Sequence, residues 1–464
     1  MTTWTTWFVF AYFILLNGCY LALNLLSIFA LQRNKEEKLL EALPQVFTGL
    51  EPGISLLVPA YNEEATITAS VQSMFQLTYS DFEIIVINDG SKDGTLEVLK
   101  REFSLLPFPE APREGLTTKP VRGIYRSLKY PNLRVIDKEN GGKADSLNAG
   151  INAARHPLFC GVDADSILAR NSLQLVAKPF LNHPDTVATG GTVRVANGCE
   201  VADGFLTKVG LPTNLWALFQ VVEYLRAFLF GRLGWSKLNA MLIISGAFGL
   251  FKTDVVIEAG GYRANTIGED MELVVRIHRY LRQQGRPYRI EFVPEPVCWT
   301  EAPEDHKTLK NQRVRWQRGL SESLTSNWGL MFSRNGGTPG WLAFPFMIMF
   351  EWLGPLVELG GYLFMFYAYA FDLVSWQAFY VFLFMAIGLG ILLSASGLLL
   401  EEISFHIYPS FRHLAMLSLI VVLENFGYRQ LNSWWRLLGL YKWAAQREST
   451  WGEMKRKGVG NQPK

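Results

Sequence analysis

Asp163 and Asp165 stand one residue apart in DADS, directly after the apolar run LFCGV. Carboxylates at i and i+2 can face one cation, and Mg2+ or Mn2+ held there would bridge the oxygens of a nucleoside diphosphate and neutralise it as a leaving group. Lys143, in GGKAD, would add a compact positive charge to the same phosphates. Asp89 in NDGSKDGT, and Tyr61, Asn62 and Glu63 in VPAYNEE, are placed to hold a base and ribose. Further on, Glu269 and Asp270 in IGED open a helical run, MELVVRIHRYLRQ. Asp270 is the candidate general base, because a sugar hydroxyl attacking an anomeric carbon needs a carboxylate within hydrogen-bond reach. In QRVRW, residues 312–316, an arginine fork can grip diphosphate and a tryptophan face can stack on an acceptor sugar.

Each motif also has a plainer use. NDGSKDGT contains two Asp-Gly turns, acidic residues suit the first turn of any helix, and Arg and Trp are enriched at bilayer interfaces. DADS is not a calcium loop, since counting from Asp163 puts Leu168 where an EF-hand needs Gly and Gln174 where it needs Glu. GGKAD is not a Walker loop, since Ala144 follows Lys143 where Ser or Thr belongs. Chemistry is favoured by convergence, with several acidic strand ends in one chain.

The elements that must position these groups are legible. ISLLVPA (54–60), EIIVIND (83–89), LRVID (133–137) and LFCGVDAD (158–165) read as strands buried on both faces, with TITASVQSMFQ and KADSLNAGINAA as helices between them. This alternation predicts an α/β fold with a doubly wound, mostly parallel sheet, whose ligands collect beyond the strand C-termini. The polar motifs fall at those ends.

The chain has 464 residues and is 49% hydrophobic, too apolar for an ordinary soluble enzyme. With 44 Lys+Arg against 42 Asp+Glu the net charge is only +2, so no nucleic-acid partner is expected. Cys19, Cys160, Cys199 and Cys298 are too scattered for a zinc pair or a disulfide frame and read as reduced thiols.

From Trp7 to Leu31 there are 25 residues without a charge. As a helix that is roughly 37 Å, enough to cross a bilayer. No Lys or Arg precedes the run, which argues against a signal peptide, whereas Arg33, Lys35 and Lys38 follow it. The positive-inside rule then puts the N-terminus outside the plasma (inner) membrane and the next domain in the cytoplasm. The expected organisation is a spanning helix at 1–32, a cytosolic domain at 33–335 with interfacial helices at about 210–235 and 303–330, spanning and interfacial helices at 336–445, and a basic cytosolic tail at 446–464. Residues 352–371 and 376–400 are candidate spans. A third stretch, 413–428, contains Glu424 and Asn425 and precedes WWRLLGLYKW, whose aromatics and cations suit an interfacial helix. Four spans would put the two ends on the same side, so one C-terminal segment is expected to be interfacial, re-entrant or split.

Taken in order, VPAYNEE, NDGSKDGT, GGKAD, DADS, SGAFGLF, GED and QRVRW resemble the membrane-integrated glycosyltransferases of family 2, over roughly residues 50–330. That family includes cellulose, hyaluronan, chitin-oligosaccharide and poly-N-acetylglucosamine synthases. The resemblance implies a GT-A-like domain that elongates and secretes a β-linked polysaccharide from a UDP-sugar by inverting single displacement, UDP-N-acetylglucosamine before UDP-glucose. Transfer of one sugar to a membrane lipid is the alternative. By matching position, Asp89 would contact the uridine, Asp163 and Asp165 would bind UDP and the metal, and Asp270 would be the base, with Glu269 beside it. Gln312, Arg313, Arg315 and Trp316 would line the acceptor and diphosphate site, with Trp299 and Thr300 in the mobile segment near the donor. Other partners would be the growing glycan, membrane lipids and an accessory subunit of unknown kind. The chain departs from the family in reading GED where cellulose synthases have TED, and in residues 103–128, which with four prolines read as a surface insertion.

Overall fold

A computed structural model describes residues 2–41, 51–110, 113, 115–202, 204–408 and 410–446 of the chain. The tail expected to be cytosolic lies almost wholly outside the described residues.

Among the described residues twelve strands form: β1 (Ile54–Ala60), β2 (Phe82–Asp89), β3 (Leu105–Pro107), β4 (Val121–Ser127), β5 (Leu133–Lys138), β6 (Leu158–Val162), β7 (Ile167–Leu168), β8 (Thr186–Val195), β9 (Glu200–Ala202), β10 (Phe205–Lys208), β11 (Phe248–Lys252) and β12 (Arg289–Thr300). Ten of them build one sheet in the order β3-β4-β5-β2-β1-β6-β11-β8-β12-β7, and β9 and β10 make a separate ribbon. The centre β5-β2-β1-β6 is parallel, as the alternation of strands and helices requires. On its flanks β4 and β11 run antiparallel to their neighbours, and β12 pairs parallel with β8, so the sheet is mixed around a parallel centre.

The period of two along each central strand sorts its apolar residues onto opposite faces. Leu57, Ile85, Ile87 and Ile136 pack under the helix Lys143–Ala153 with Leu147 and Ile151, whereas Leu56, Val58, Ile84, Val86 and Val135 pack on the other side with Ile67, Val71 and Leu99. All are fully or almost fully buried. That double burial is why these segments read as continuous apolar runs.

Residues 103–128 are not a simple surface insertion. They contribute β3 and β4, which extend the sheet edge. The link between them is fastened to the helix Lys143–Ala153, where Leu116 donates its amide to Asn152 Oδ1 at 2.9 Å and Lys119 donates its amide to the Asp145 carboxylate at 3.0 Å.

Among the described residues two helical stretches, Thr3–Leu31 and Trp376–Ser404, are long and apolar enough to cross a membrane. A third candidate is a broken pair, Pro339–Trp352 and Gly354–Ala370, bent by 45°. Pro355 starts the second arm, and its missing N–H removes a helical hydrogen bond at the bend. The stretch 413–428 is not among the helices long and apolar enough to cross a membrane. Its helix Phe411–Leu423 has 13 residues, roughly 20 Å. It is followed by non-helical backbone at Phe426 and at Gly427 (φ 104°). WWRLLGLYKW continues as the helix Arg429–Ala444, with Trp435 buried against Trp216 and His306 at ring separations of 6.2 and 5.1 Å.

Candidate active site

One cavity of about 2020 Å³ lies beyond the C-terminal ends of β1, β2 and β6. Of the singled-out residues, Tyr61, Asn62, Glu63, Asp89, Lys143, Asp163, Asp165, Glu269, Asp270, Thr300, Gln312, Arg315 and Trp316 all line it. Trp299 and Arg313 do not.

The nucleotide end is built from strand-end loops that brace each other. Asn62, at φ 55°, donates its amide to Ser91 Oγ at 3.0 Å, and its own Oδ1 accepts the Lys92 amide at 2.9 Å. The Glu63 amide binds Thr95 Oγ1 at 2.9 Å. Asp89 is more deeply engaged than a base-contacting residue needs to be. Its carboxylate accepts from Lys138 Nζ at 2.8 Å and from the Gly141 and Gly142 amides at 3.0 and 2.8 Å. It therefore clamps the glycine loop that opens the helix Lys143–Ala153.

Lys143, the first residue of that helix, ion-pairs with Asp163 and donates to the Gly246 carbonyl at 3.1 Å, with Glu269 at 3.9 Å. Burial alone would lower its pKa, but the facing carboxylates Asp163, Glu269 and Asp270 outweigh it, so the ammonium stays charged. Burial raises Glu269 above the usual carboxylate range against the pull of Lys143, and the neighbouring Asp270 adds to the rise. Asp270 accepts the Gly246 amide at 3.1 Å. Gly246 separates the two: a β-carbon there would lie 3.2 Å from Lys143 Nζ and 3.4 Å from Asp270 Oδ2. The proposed base and the proposed phosphate-binding lysine thus face one small gap.

Asp163 and Asp165 both face the cavity, and among the described residues no group of three or more His, Cys, Asp or Glu could hold a metal by itself. The donor set is two carboxylates open to substrate. This suits a Mg2+ or Mn2+ that keeps diphosphate oxygens and water as its other ligands.

QRVRW lies on the helix His306–Ser326, capped by the Asp305 carboxylate, which accepts the Thr308 amide at 2.9 Å. Its four-residue repeat divides the motif. Gln312, Arg315 and Trp316 face the cavity, whereas Arg313 is 2% exposed and ion-paired with Glu223 at 2.8 Å. Arg313 lies 4.2 Å from the Trp316 ring centre, so it backs the platform rather than gripping diphosphate. Trp299 is buried in β12 opposite Ile167 and Arg194, which leaves Thr300 as the member of that pair at the cavity. The amide oxygen of Gln312 is buried without a partner among the described residues.

Sequence reasoning missed Tyr224, Phe228 and Arg232, although it marked the run LWALFQVVEYLRAFLF as interfacial. That run is a helix, Leu215–Tyr224, widened into a π-helical turn at Leu225–Gly231. The widened turn carries Phe228 to 6.0 Å from Trp316, with Arg232 4.4 Å from the Phe228 ring. A π-turn has no composition signal of its own.

Family models match the chain twice: glycosyl transferase family 2 over residues 55–203, and glycosyl transferase family group 2 over residues 159–393, just over half of it. The poly-beta-1,6-N-acetyl-D-glucosamine synthase of Staphylococcus aureus (strain COL) is 31% identical over 275 residues, 59% of this chain and 55% of that protein. The protein of the same name from Staphylococcus epidermidis is 29% identical over 273 residues, with the same coverage of 59% and 55%. The chain thus spans about half the length of the curated relatives it matches. Among solved structures, a mannosyltransferase from Pyrobaculum calidifontis in complex with GDP-Man and Mn2+ superimposes with a TM-score of 0.53 at 17% identity, covering 95% of this chain and all of that one. That likeness is one of fold.

Proposed function

The chain belongs to glycosyl transferase family group 2, and on that premise we propose that it is an inverting membrane glycosyltransferase that elongates and secretes a β-linked polysaccharide from a UDP-sugar. UDP-N-acetylglucosamine is the favoured donor and UDP-glucose the next, a preference supported by the product named for the staphylococcal relatives. The observation that carries the reading is the single cavity into which Asp89, Lys143, Asp163, Asp165, Asp270, Gln312, Arg315 and Trp316 all face.

In this reading Tyr61, Asn62 and Glu63 hold the uridine end, and Asp89 acts by fixing the loop beneath it. Asp163 and Asp165 would hold a divalent cation, which would supply neutralisation of the charge that builds on the leaving UDP. Lys143 and Arg315 bind the same phosphates from the protein side. Asp270 accepts the proton of the acceptor hydroxyl as its oxygen bonds to C1 of the donor sugar and the bond from C1 to UDP breaks on the opposite face. Glu269, whose proton burial holds more tightly than an ordinary carboxylate's, leaves Asp270 to carry the local negative charge. Trp316, braced by Arg313, stacks on the acceptor sugar. The catalytic domain would lie on the cytoplasmic side, where nucleotide sugars are made.

The second reading, one transfer to a membrane lipid, is favoured by the cavity's other end, lined by Tyr20, Trp235, Phe346 and Met347. Incubating purified full-length protein with a panel of UDP-sugars and Mg2+ or Mn2+, then sizing the product, separates the two. A ladder or polymer supports the first and a single glycolipid the second. No UDP release with any donor would reject both.

A further inference from the structure

Arg232 is 7% exposed and lines the cavity, yet among the described residues its guanidinium makes no hydrogen bond or ion pair. Its one direct partner is the Phe228 ring, 4.4 Å away. Asp270 acts on it electrostatically but lies beyond ion-pair distance, and its oxygens already accept the Gly246 and Met271 amides at 3.1 and 2.8 Å. By contrast, cations in and behind the cavity wall have acceptors among the described residues: Lys143 has Asp163, Arg313 has Glu223, and Lys138 has Asp89. A buried guanidinium without counter-charge is costly, and a ligand that brings anionic oxygens relieves that cost. The planar fork matches a phosphate or carboxylate.

Its position narrows the ligand. Arg232 opens the short helix Arg232–Lys237, which is pressed on the N-terminal apolar helix so closely that a β-carbon on Gly234 would lie 2.7 Å from the Leu23 carbonyl. Leu23 is inside the stretch apolar enough to cross a membrane. The cavity wall beside it comes from Tyr20 on that helix, from Trp235, and from Phe346 and Met347 on the bent pair. A fixed cation thus sits where a polar cavity meets an apolar passage leading toward the membrane helices.

We propose that Arg232 binds the phosphate group of a lipid, whose apolar chain lies along Tyr20, Trp235, Phe346 and Met347, so that the acceptor half of the site receives an amphiphilic phosphate. This rests on the reading of the cavity as a glycosyl-transfer site and specifies what enters it from the membrane side. Only binding is claimed, with no covalent step at the phosphate.

The test uses full-length protein in phosphatidylcholine nanodiscs and three probes: dioctanoyl phosphatidic acid, dioctanoylglycerol and inorganic phosphate, with UDP binding measured on the same samples. Wild type should bind the phosphatidic acid at least tenfold more tightly than either other probe. Arg232→Gln should lose at least tenfold of that affinity, Arg232→Lys should recover part of it, and both should melt near wild type and keep UDP affinity within about twofold. Equal binding of inorganic phosphate would mean a free-anion site and overturn the lipid assignment. Undiminished lipid binding by Arg232→Gln would overturn the residue assignment. If UDP binds wild type and the lipid phosphate does not, only this inference fails, whereas absence of UDP binding removes the transferase reading beneath it.

Discussion

Residue chemistry at this site divides into groups that face the cavity and groups that hold them there. Asp270→Asn should abolish transfer while sparing UDP binding, because it removes the base and leaves the phosphate-binding groups. Equal loss of UDP affinity in a titration would contradict that role. Asp165→Asn should weaken donor binding and shift the metal concentration needed for turnover upward, whereas an unchanged metal titration would count against it. Asp89 belongs to the second group. Replacing it with Asn removes one charge from the buried Lys138 pair and weakens the hold on Gly141 and Gly142, so both melting temperature and UDP affinity should fall. Sequence motifs marked all three aspartates, yet only the folded geometry separates the clamp from the substrate-facing pair. The same holds for Arg313 and Arg315, two residues apart on one helix and on opposite sides of it.

Helices and strands supply the registration that these groups need, and one contact between helices accounts for a departure in sequence. Gly268, the residue before Glu269, touches Gly319 three residues after Trp316. A β-carbon on either would lie 2.9 Å from the other's backbone. The glycine of GED is therefore required by the crossing that brings Asp270 and Trp316 to one cavity. Gly268→Ala should cost about 1–3 kcal/mol from overpacking and should reduce turnover by tilting the two helices apart, measured as melting temperature and kcat. Further along the same helix His278 is fully buried, bonded to Tyr288 OH at 2.6 Å and the Met241 carbonyl at 3.0 Å. Burial lowers its pKa from 6.5 to about 4. The unfolded chain takes up that proton more readily, so stability present above about pH 6.5 is lost as pH falls toward 4. The drop in melting temperature across that window should shrink in His278→Gln; an unchanged drop would place the acid sensitivity elsewhere.

At the scale of the whole molecule, the cavity and the bent pair, a candidate membrane span, are joined through the QRVRW helix. Gln317, one residue past Trp316, accepts from Arg436 Nε at 2.8 Å and donates to the Trp352 carbonyl at 3.1 Å, so it ties the acceptor platform to the bent pair and to the helix Arg429–Ala444. If the bent pair counts as one span, the described residues hold three candidate crossings, an odd number, and with those three alone the two ends should lie on opposite sides of the membrane. Reporter domains fused to either end should then report opposite compartments, and the same compartment for both would refute that count. The amino-acid order alone determined the α/β alternation, the apolar N-terminal helix, and which carboxylates cluster at strand ends, because strand period, burial and turn chemistry are local properties. It also marked thirteen of the polar and aromatic residues that line the cavity, since those sit in short motifs at strand ends and helix starts. Only the tertiary structure decided that the sheet is mixed, that residues 103–128 extend it, that the backbone leaves the helical conformation at Phe426 and Gly427, and that Arg232 faces the cavity with no ion pair among the described residues. Each of those depends on which distant segment packs alongside, and no local pattern encodes its neighbour.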